Sequence, residues 1–167
     1  MSLVTEDGTG KSDAESLCTV AVADAYHSAR GNTAWDALDN TDDKEPALRK
    51  ATDYMTAVYR DRWEGVRYSE DQALDWPRSG VVRDSWQVDI DEVPTEVQNA
   101  CAELALKAYS ATLMPDLKQA KTAVTVGPIK TEWSQFSPQQ KRYKFIDAML
   151  RPYLNSGAGC CVKMVRA

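Results

Sequence analysis

Gly8-Thr9-Gly10-Lys11-Ser12 is the first stretch whose residue types and spacing suggest chemistry. A phosphate-binding loop needs G-x-x-x-x-G-K-[ST], because its backbone N–H groups must cradle phosphate oxygens. The register puts Thr5 where the first glycine belongs, and only Met1 to Val4 precede it, too little for the buried strand that feeds such a loop. Glu6 and Asp7 would also sit against the phosphate. The segment therefore reads as a helix-capping turn, and Ser12-x-x-Glu15 has the form of a capping box. Paired carboxylates at Asp42, Asp43 and at Asp89, Asp91, Glu92 are of a type that does acid–base work or holds Mg²⁺. Their spacing fits no EF-hand loop, and they read as solvated acidic loops. The four cysteines, Cys18, Cys101, Cys160 and Cys161, contain no CxxC pair, and His27 is the only histidine. A zinc site would need a scattered set, and a nucleophile would have one possible base with no signature beside it. The thiols read as reduced, Cys101 as core packing and His27 as structural. No catalytic residue, metal ligand or cofactor is expected, and the chain reads as a non-enzyme.

One stretch mixes cations with aromatic rings. It runs from Lys130 through Trp133 and Phe136 to Lys141, Arg142, Tyr143, Lys144 and Phe145. Single-strand binders use such mixtures, with cations on phosphates and rings on bases. Tyr143, Phe145 and Ile146 equally fit a helix that packs its apolar face. Lys118, Lys121, Lys130, Lys141, Arg142 and Lys144 are the candidate cations for DNA or for a neighbouring subunit.

Charge is divided along the chain. Residues 1–115 hold 11 Lys+Arg against 22 Asp+Glu, whereas residues 116–167 hold nine against three. An acidic body with a basic last third suggests oriented self-association, an acidic partner or nucleic acid. Hydrophobic residues are 43% and charged residues 27% of the 167, an ordinary globular composition. The longest apolar run is Val20-Ala21-Val22-Ala23, far short of the ~20 residues a membrane span needs. The N-terminus lacks the basic and apolar regions of a secretory leader.

These residues need elements to position them. The pattern predicts a mainly α fold: a small helical bundle over residues 1–154, with a short β-hairpin or extended segment, and a flexible tail over 155–167. Thr19 caps a helix to Arg30, stopped by Gly31-Asn32. Residues 33–38 read as a short helical turn, and 39–43 as an acidic connector. A long helix follows from Asp43 to Arg62, with Leu48, Ala51, Met55 and Val58 on one stripe. Residues 64–93 look irregular, with a turn at Trp76-Pro77-Arg78-Ser79-Gly80 and an extended alternation of Trp86, Val88 and Ile90. The clearest helix runs from Pro94 to Met114-Pro115, with Val97, Cys101, Leu104, Ala108 and Ala111 on one stripe. Residues 124–133 alternate around Gly127-Pro128 and read as strand, bend, strand. A last helix opens with Ser137 as cap and Pro138 in its first turn.

Several stretches in order resemble a family of small tailed-bacteriophage proteins. They include Val4-Thr5-Glu6-Asp7-Gly8-Thr9-Gly10, residues 22–32 with Trp35, Lys50-Ala51-Thr52-Asp53-Tyr54 and Val93-Pro94-Thr95-Glu96-Val97. The most specific is Gln72-Ala73-Leu74-Asp75-Trp76-Pro77-Arg78-Ser79-Gly80. Members are often labelled DnaT-like single-stranded DNA-binding proteins and look like head–tail connectors, or adaptors, of the phage neck. The resemblance covers roughly residues 3–155. It implies a helical virion protein that forms a ring, commonly twelve-fold, beneath the portal protein. Its partners would be the portal, copies of itself, a downstream tail or stopper protein and packaged DNA, with assembly in the host cytoplasm and no membrane. Val162, Lys163, Met164, Val165 and Arg166, beyond the Gly-containing linker, are the expected portal-binding tail. The alternative is a single-stranded DNA-binding replication module.

Overall fold

The computed structural model describes residues 2–116, 123–126, 129–132 and 141–155. Five α-helices are found there: α1 (Val20–Ser28), α2 (Thr33–Asp36), α3 (Glu45–Tyr59), α4 (Thr95–Ser110) and α5 (Lys144–Leu150). Three antiparallel pairs of short strands accompany them. They are β1 (Val66–Arg67) with β2 (Arg78–Ser79), β3 (Val82–Arg83) with β4 (Trp86–Gln87), and β5 (Ala123–Val126) with β6 (Ile129–Glu132). The fold is mainly α, as the pattern predicts.

α4 is the helix on which the others pack. Its stripe of Val97, Cys101, Leu104 and Ala108 is buried, and Ala100, Ala102 and Ala105 beside it are buried too. Apolar residues around most of a helix mark it as enclosed, and α1, α3 and α5 all lie against it. Small side chains along its middle leave room for three neighbours. α4 follows Pro94 as expected but ends at Ser110, where Ala111 turns to extended backbone. Ala111 is therefore exposed and not part of the stripe, and residues 112–114 are not helical.

Local signals set most of the remaining boundaries. The Thr19 hydroxyl accepts from the Val22 N–H at 3.1 Å and caps α1. The helix ends two residues before Arg30, and Gly31 takes φ +66° to reverse the chain. Asp39 caps what reads in sequence as a connector, accepting from the N–H groups of Thr41 and Asp42. Residues Asn40–Lys44 form one wide π turn that feeds α3. Leu48, Ala51 and Met55 face the core, joined by Tyr54, Tyr59 and Trp63, and Val58 is half-buried.

Three further expectations fail. Ser12 and Glu15 form no capping box, because no helix starts there; Glu15 instead accepts from Arg49 at 2.9 Å and from the Val4 N–H at 3.3 Å. α5 starts at Lys144, six residues after Pro138, and residues 141–143 are not helical. The extended alternation near Trp86 is met in part, because Trp86–Gln87 form β4, with Trp86 and Ile90 both exposed. Asn155, placed in a flexible linker by composition, is pinned: its backbone N–H donates to Arg62 and its side-chain amide to Trp63. The β5–β6 hairpin does form, with Val126 paired to Ile129 across Gly127-Pro128.

Candidate functional site

Residues 6–11 form the anion-cradling loop that the near-P-loop spelling suggests, but the anion is internal. The Glu6 carboxylate accepts from the N–H groups of Gly8, Gly10 and Lys11, each at 2.9 Å. Glu6 is only 5% exposed, and its carboxylate stands where a phosphate would sit. The glycines serve geometry: Gly8 has φ +103°, and a Cβ there would lie 1.7 Å from the Asp91 carbonyl oxygen. The loop is thus pressed against the chain leading into α4 and takes no part in capping a helix.

The distinctive stretch at 72–80 is also turned inward. Gln72 accepts from the Ser69 N–H and donates to the carbonyls of Leu74 and Pro77. The Arg78 guanidinium donates to three carbonyls, Glu64 at 2.8 Å, Asp75 at 3.1 Å and Gly65 at 2.7 Å. Asp75 accepts from Arg60 at 2.9 Å. Trp76 is fully buried, edge-on to both Trp63 and Tyr153. Burial lowers the Arg78 pKa from its ordinary value, yet a guanidinium holding three carbonyls stays charged. These residues hold the loop between α3 and α4 and present nothing to a ligand.

His27 is structural. Its Nε2 lies 3.0 Å from the Ala102 carbonyl of α4, and its Nδ1 lies 3.0 Å from the Asn32 amide. That pattern fits a neutral ring donating through Nε2 and accepting at Nδ1. Burial lowers its pKa. Cys18 and Cys101 are buried, with thiol pKa values raised by burial, so neither is a nucleophile. Among the described residues no three His, Cys, Asp or Glu converge as metal ligands, and no helix is long and apolar enough to cross a membrane.

Among the described residues, two surfaces at the ends of α4 combine grooves or an exposed ring with charge. At the C-terminal end, two grooves of about 410 Å³ each meet at Tyr54, Leu113 and Met114. One is bordered by Arg62, Lys141, Arg142 and Asp147, and the other by Lys50, Asp53, Ala57 and Ala108. Tyr143 closes the junction, its ring edge-on to Tyr54 at 5.5 Å. Lys141, Arg142 and Lys144 are exposed, and Phe145 beside them is 58% exposed. The packing reading of this stretch therefore holds for Ile146 and in part for Tyr143, but not for Phe145. Lys130 lies on β6. Lys118, Lys121, Trp133, Phe136 and the tail from Val162 to Arg166 lie outside the described residues, as do Cys160 and Cys161.

The N-terminal end carries a surface that sequence reasoning missed. Trp86 is 80% exposed at the tip of the β3–β4 hairpin, beside Asp89, Glu92 and Glu96. Arg83 fixes the hairpin to α4 by an ion pair with Glu96, and donates at 2.8 Å to the Tyr153 hydroxyl. Tyr153 in turn donates to Glu96 at 2.7 Å. Burial and the neighbouring carboxylate push the Tyr153 pKa up to about 12. Burial alone would raise Glu96, but the Tyr153 hydroxyl and Arg83 hold it below its ordinary value. Asp84 and Ser85 both take positive φ in the tight turn that projects Trp86, and Asp-Ser lacks the glycine that would announce such a turn in sequence.

All of these parts fall within one family match. Residues 1–167 match the family described as "Putative DnaT-like ssDNA binding protein". The chain belongs to this family. No curated protein and no solved structure matches it. The family span takes in the self-filled loop, the inward-turned stretch at 72–80 and both ends of α4, and its description speaks of single-stranded DNA.

Proposed function

We propose that this family member is a structural adaptor of the phage neck. Copies assemble as a ring, probed first as a dodecamer, beneath the portal protein, and hand the DNA channel on to a tail or stopper protein. The observation that supports this is the pair of unlike surfaces at opposite ends of α4. One is acidic and led by Trp86, and the other is basic and grooved. A closed ring of identical chains is built from head-to-tail contacts, which need two different surfaces on each copy. The acidic first two-thirds and basic last third of the chain suit the same arrangement. Electron microscopy of the purified protein mixed with its portal ring tests the reading. An added ring of density below the portal is expected; no binding to a competent portal at any concentration would overturn it. The proposed portal-binding tail is tested in the same assay by deleting residues 156–167. The deletion starts after Asn155 because that residue holds the turn at Arg62 and Trp63. Unchanged portal binding would sink the tail's role.

A second reading, single-stranded DNA binding in replication, is favoured by the family description and by Lys141, Arg142 and the exposed Phe145 at the groove. Cations on phosphates and a ring on a base are the required parts. Titration with a labelled oligonucleotide separates the two readings. Phosphate-driven binding falls steeply with salt, and Lys141→Glu with Arg142→Glu should weaken it further. Absence of binding at low salt removes this reading.

A further inference from the structure

Trp86 is held in an unusual way for a surface residue. The β3–β4 turn takes two non-glycine residues into the left-handed region, Asp84 at φ 50° and Ser85 at φ 72°. Such conformations are unfavourable for side-chain-bearing residues and persist where the surroundings enforce them. Here the enforcement is visible: Arg83, the residue paired with Trp86 across the hairpin, is tied to Glu96 and Tyr153. The result is an indole on a rigid base, 80% exposed, with most of it uncovered by the described residues. Val82 and Ile90 nearby are about half exposed. Tryptophan is among the residue types enriched at binding hot spots.

The other end of α4 offers a match. α4 has 16 residues, so its two ends, one beside Trp86 and the other beside Ala108, are about 24 Å apart, and Trp86 does not line the groove of its own chain. The groove at Tyr54, Ala57, Leu113 and Met114 is mostly apolar, with Lys50 and Asp53 on its wall. Lys141 and Arg142 stand at its adjoining rim. Asp89 and Glu92 stand beside Trp86. Apolar knob and mostly apolar groove, acidic rim and basic rim, are complementary in chemical character.

We propose that Trp86 of one copy inserts into the Tyr54–Leu113–Met114 groove of the next copy, with Asp89 and Glu92 facing that copy's Lys141 and Arg142. The proposal rests on the ring reading and specifies its subunit contact. The indole supplies affinity by burying apolar area, and the charge pairs set orientation and approach. Because knob and groove lie at opposite ends of one helix, each copy engages two different neighbours.

The experiment is ring assembly on the portal, read by electron microscopy, with the wild-type chain and three variants. Trp86→Ala removes the knob, and should raise the concentration needed for ring closure by roughly 30-fold or more. Asp89→Lys with Glu92→Lys reverses one rim, and Lys141→Glu with Arg142→Glu reverses the other. Each reversed chain should fail alone, while an equimolar mixture of the two should close rings again. Restoration by mixing identifies a contact between copies, since a lost portal contact would not return. If the wild type rings the portal and Trp86→Ala does so equally well, the knob contact is wrong and the adaptor reading stands. If each reversed chain fails and their mixture fails too, the pairing of rims is wrong. If the wild type forms no ring, both readings fall together.

Discussion

Arg78 turns its guanidinium inward, onto the carbonyls of Glu64, Gly65 and Asp75 in the loop that buries Trp76. Arg142 stands exposed at the mouth of a groove with Tyr54 and Met114. Both regions bring an arginine to aromatic neighbours, and residue type alone does not separate them. The difference is whether the fold supplies acceptors. A buried guanidinium needs its donors filled, and the bend at 64–65 places two carbonyls within reach of Arg78 while Asp75 supplies a third. Among the described residues Arg142 makes no such set of hydrogen bonds to carbonyls. The most recognisable sequence stretch of the chain is therefore scaffold, and the plainer stretch at 141–145 is surface.

Mutations at the two regions should separate sharply. Trp76→Ala empties a fully buried site against Trp63 and Tyr153, and should cost about 3–5 kcal/mol in urea unfolding. Arg78→Lys keeps the charge but cannot span three carbonyls. It should cost about 2–3 kcal/mol, since hydrogen bonds to charged groups carry about 1.5–3 kcal/mol each. If it unfolds like the wild type, the inward hydrogen bonds do not hold the loop.

His27 extends the inward class and gives a gentler effect. Its pKa is lowered in the folded chain by burial, so below the ordinary value of 6.5 the unfolded chain binds the proton more readily. Stability should be full above that pH and decline as pH falls through and below it. Urea midpoints at pH 7.5 and 5.5 would show the decline, and His27→Gln should flatten it. Smallest of all is the effect expected at the outward region. Lys141→Glu with Arg142→Glu should leave the unfolding midpoint unchanged, as surface substitutions generally do, while abolishing assembly or oligonucleotide binding. A large loss of stability there would erase the contrast between the two regions.

Much of the scaffold was legible because its cause is local. Leu48, Ala51 and Met55 recur at helical spacing, Thr19 caps, Pro94 opens α4, and Gly127-Pro128 separates two alternating runs that pair. Where the cause is distant, the reading failed. Ala111, Thr112, Leu113 and Met114 are ordinary helix residues, and nothing among them announces that α4 stops at Ser110. Ser12 and Glu15 have capping-box spacing, but Arg49, 34 positions away, takes the carboxylate. At the candidate site Lys141 and Arg142 were legible as cations. That Tyr54, Arg62 and Met114 join them was not, because the chain closes on itself to bring them there. Trp86 was read as one member of an alternating strand, since exposure is decided by what the fold leaves uncovered.

The loop at residues 6–11 has one further consequence. A receptor and its guest joined by two to five residues meet at an effective concentration that a free competitor must match, on the order of millimolar or above for short tethers. The Glu6 carboxylate is such a guest, held by three backbone N–H groups of its own loop. Nucleotides and inorganic phosphate in the surrounding solution meet a receptor already engaged from within. A polyanion that this protein handles is gripped somewhere other than this loop, whose spelling, Gly-Thr-Gly-Lys-Ser, is that of a phosphate site already filled by its own carboxylate.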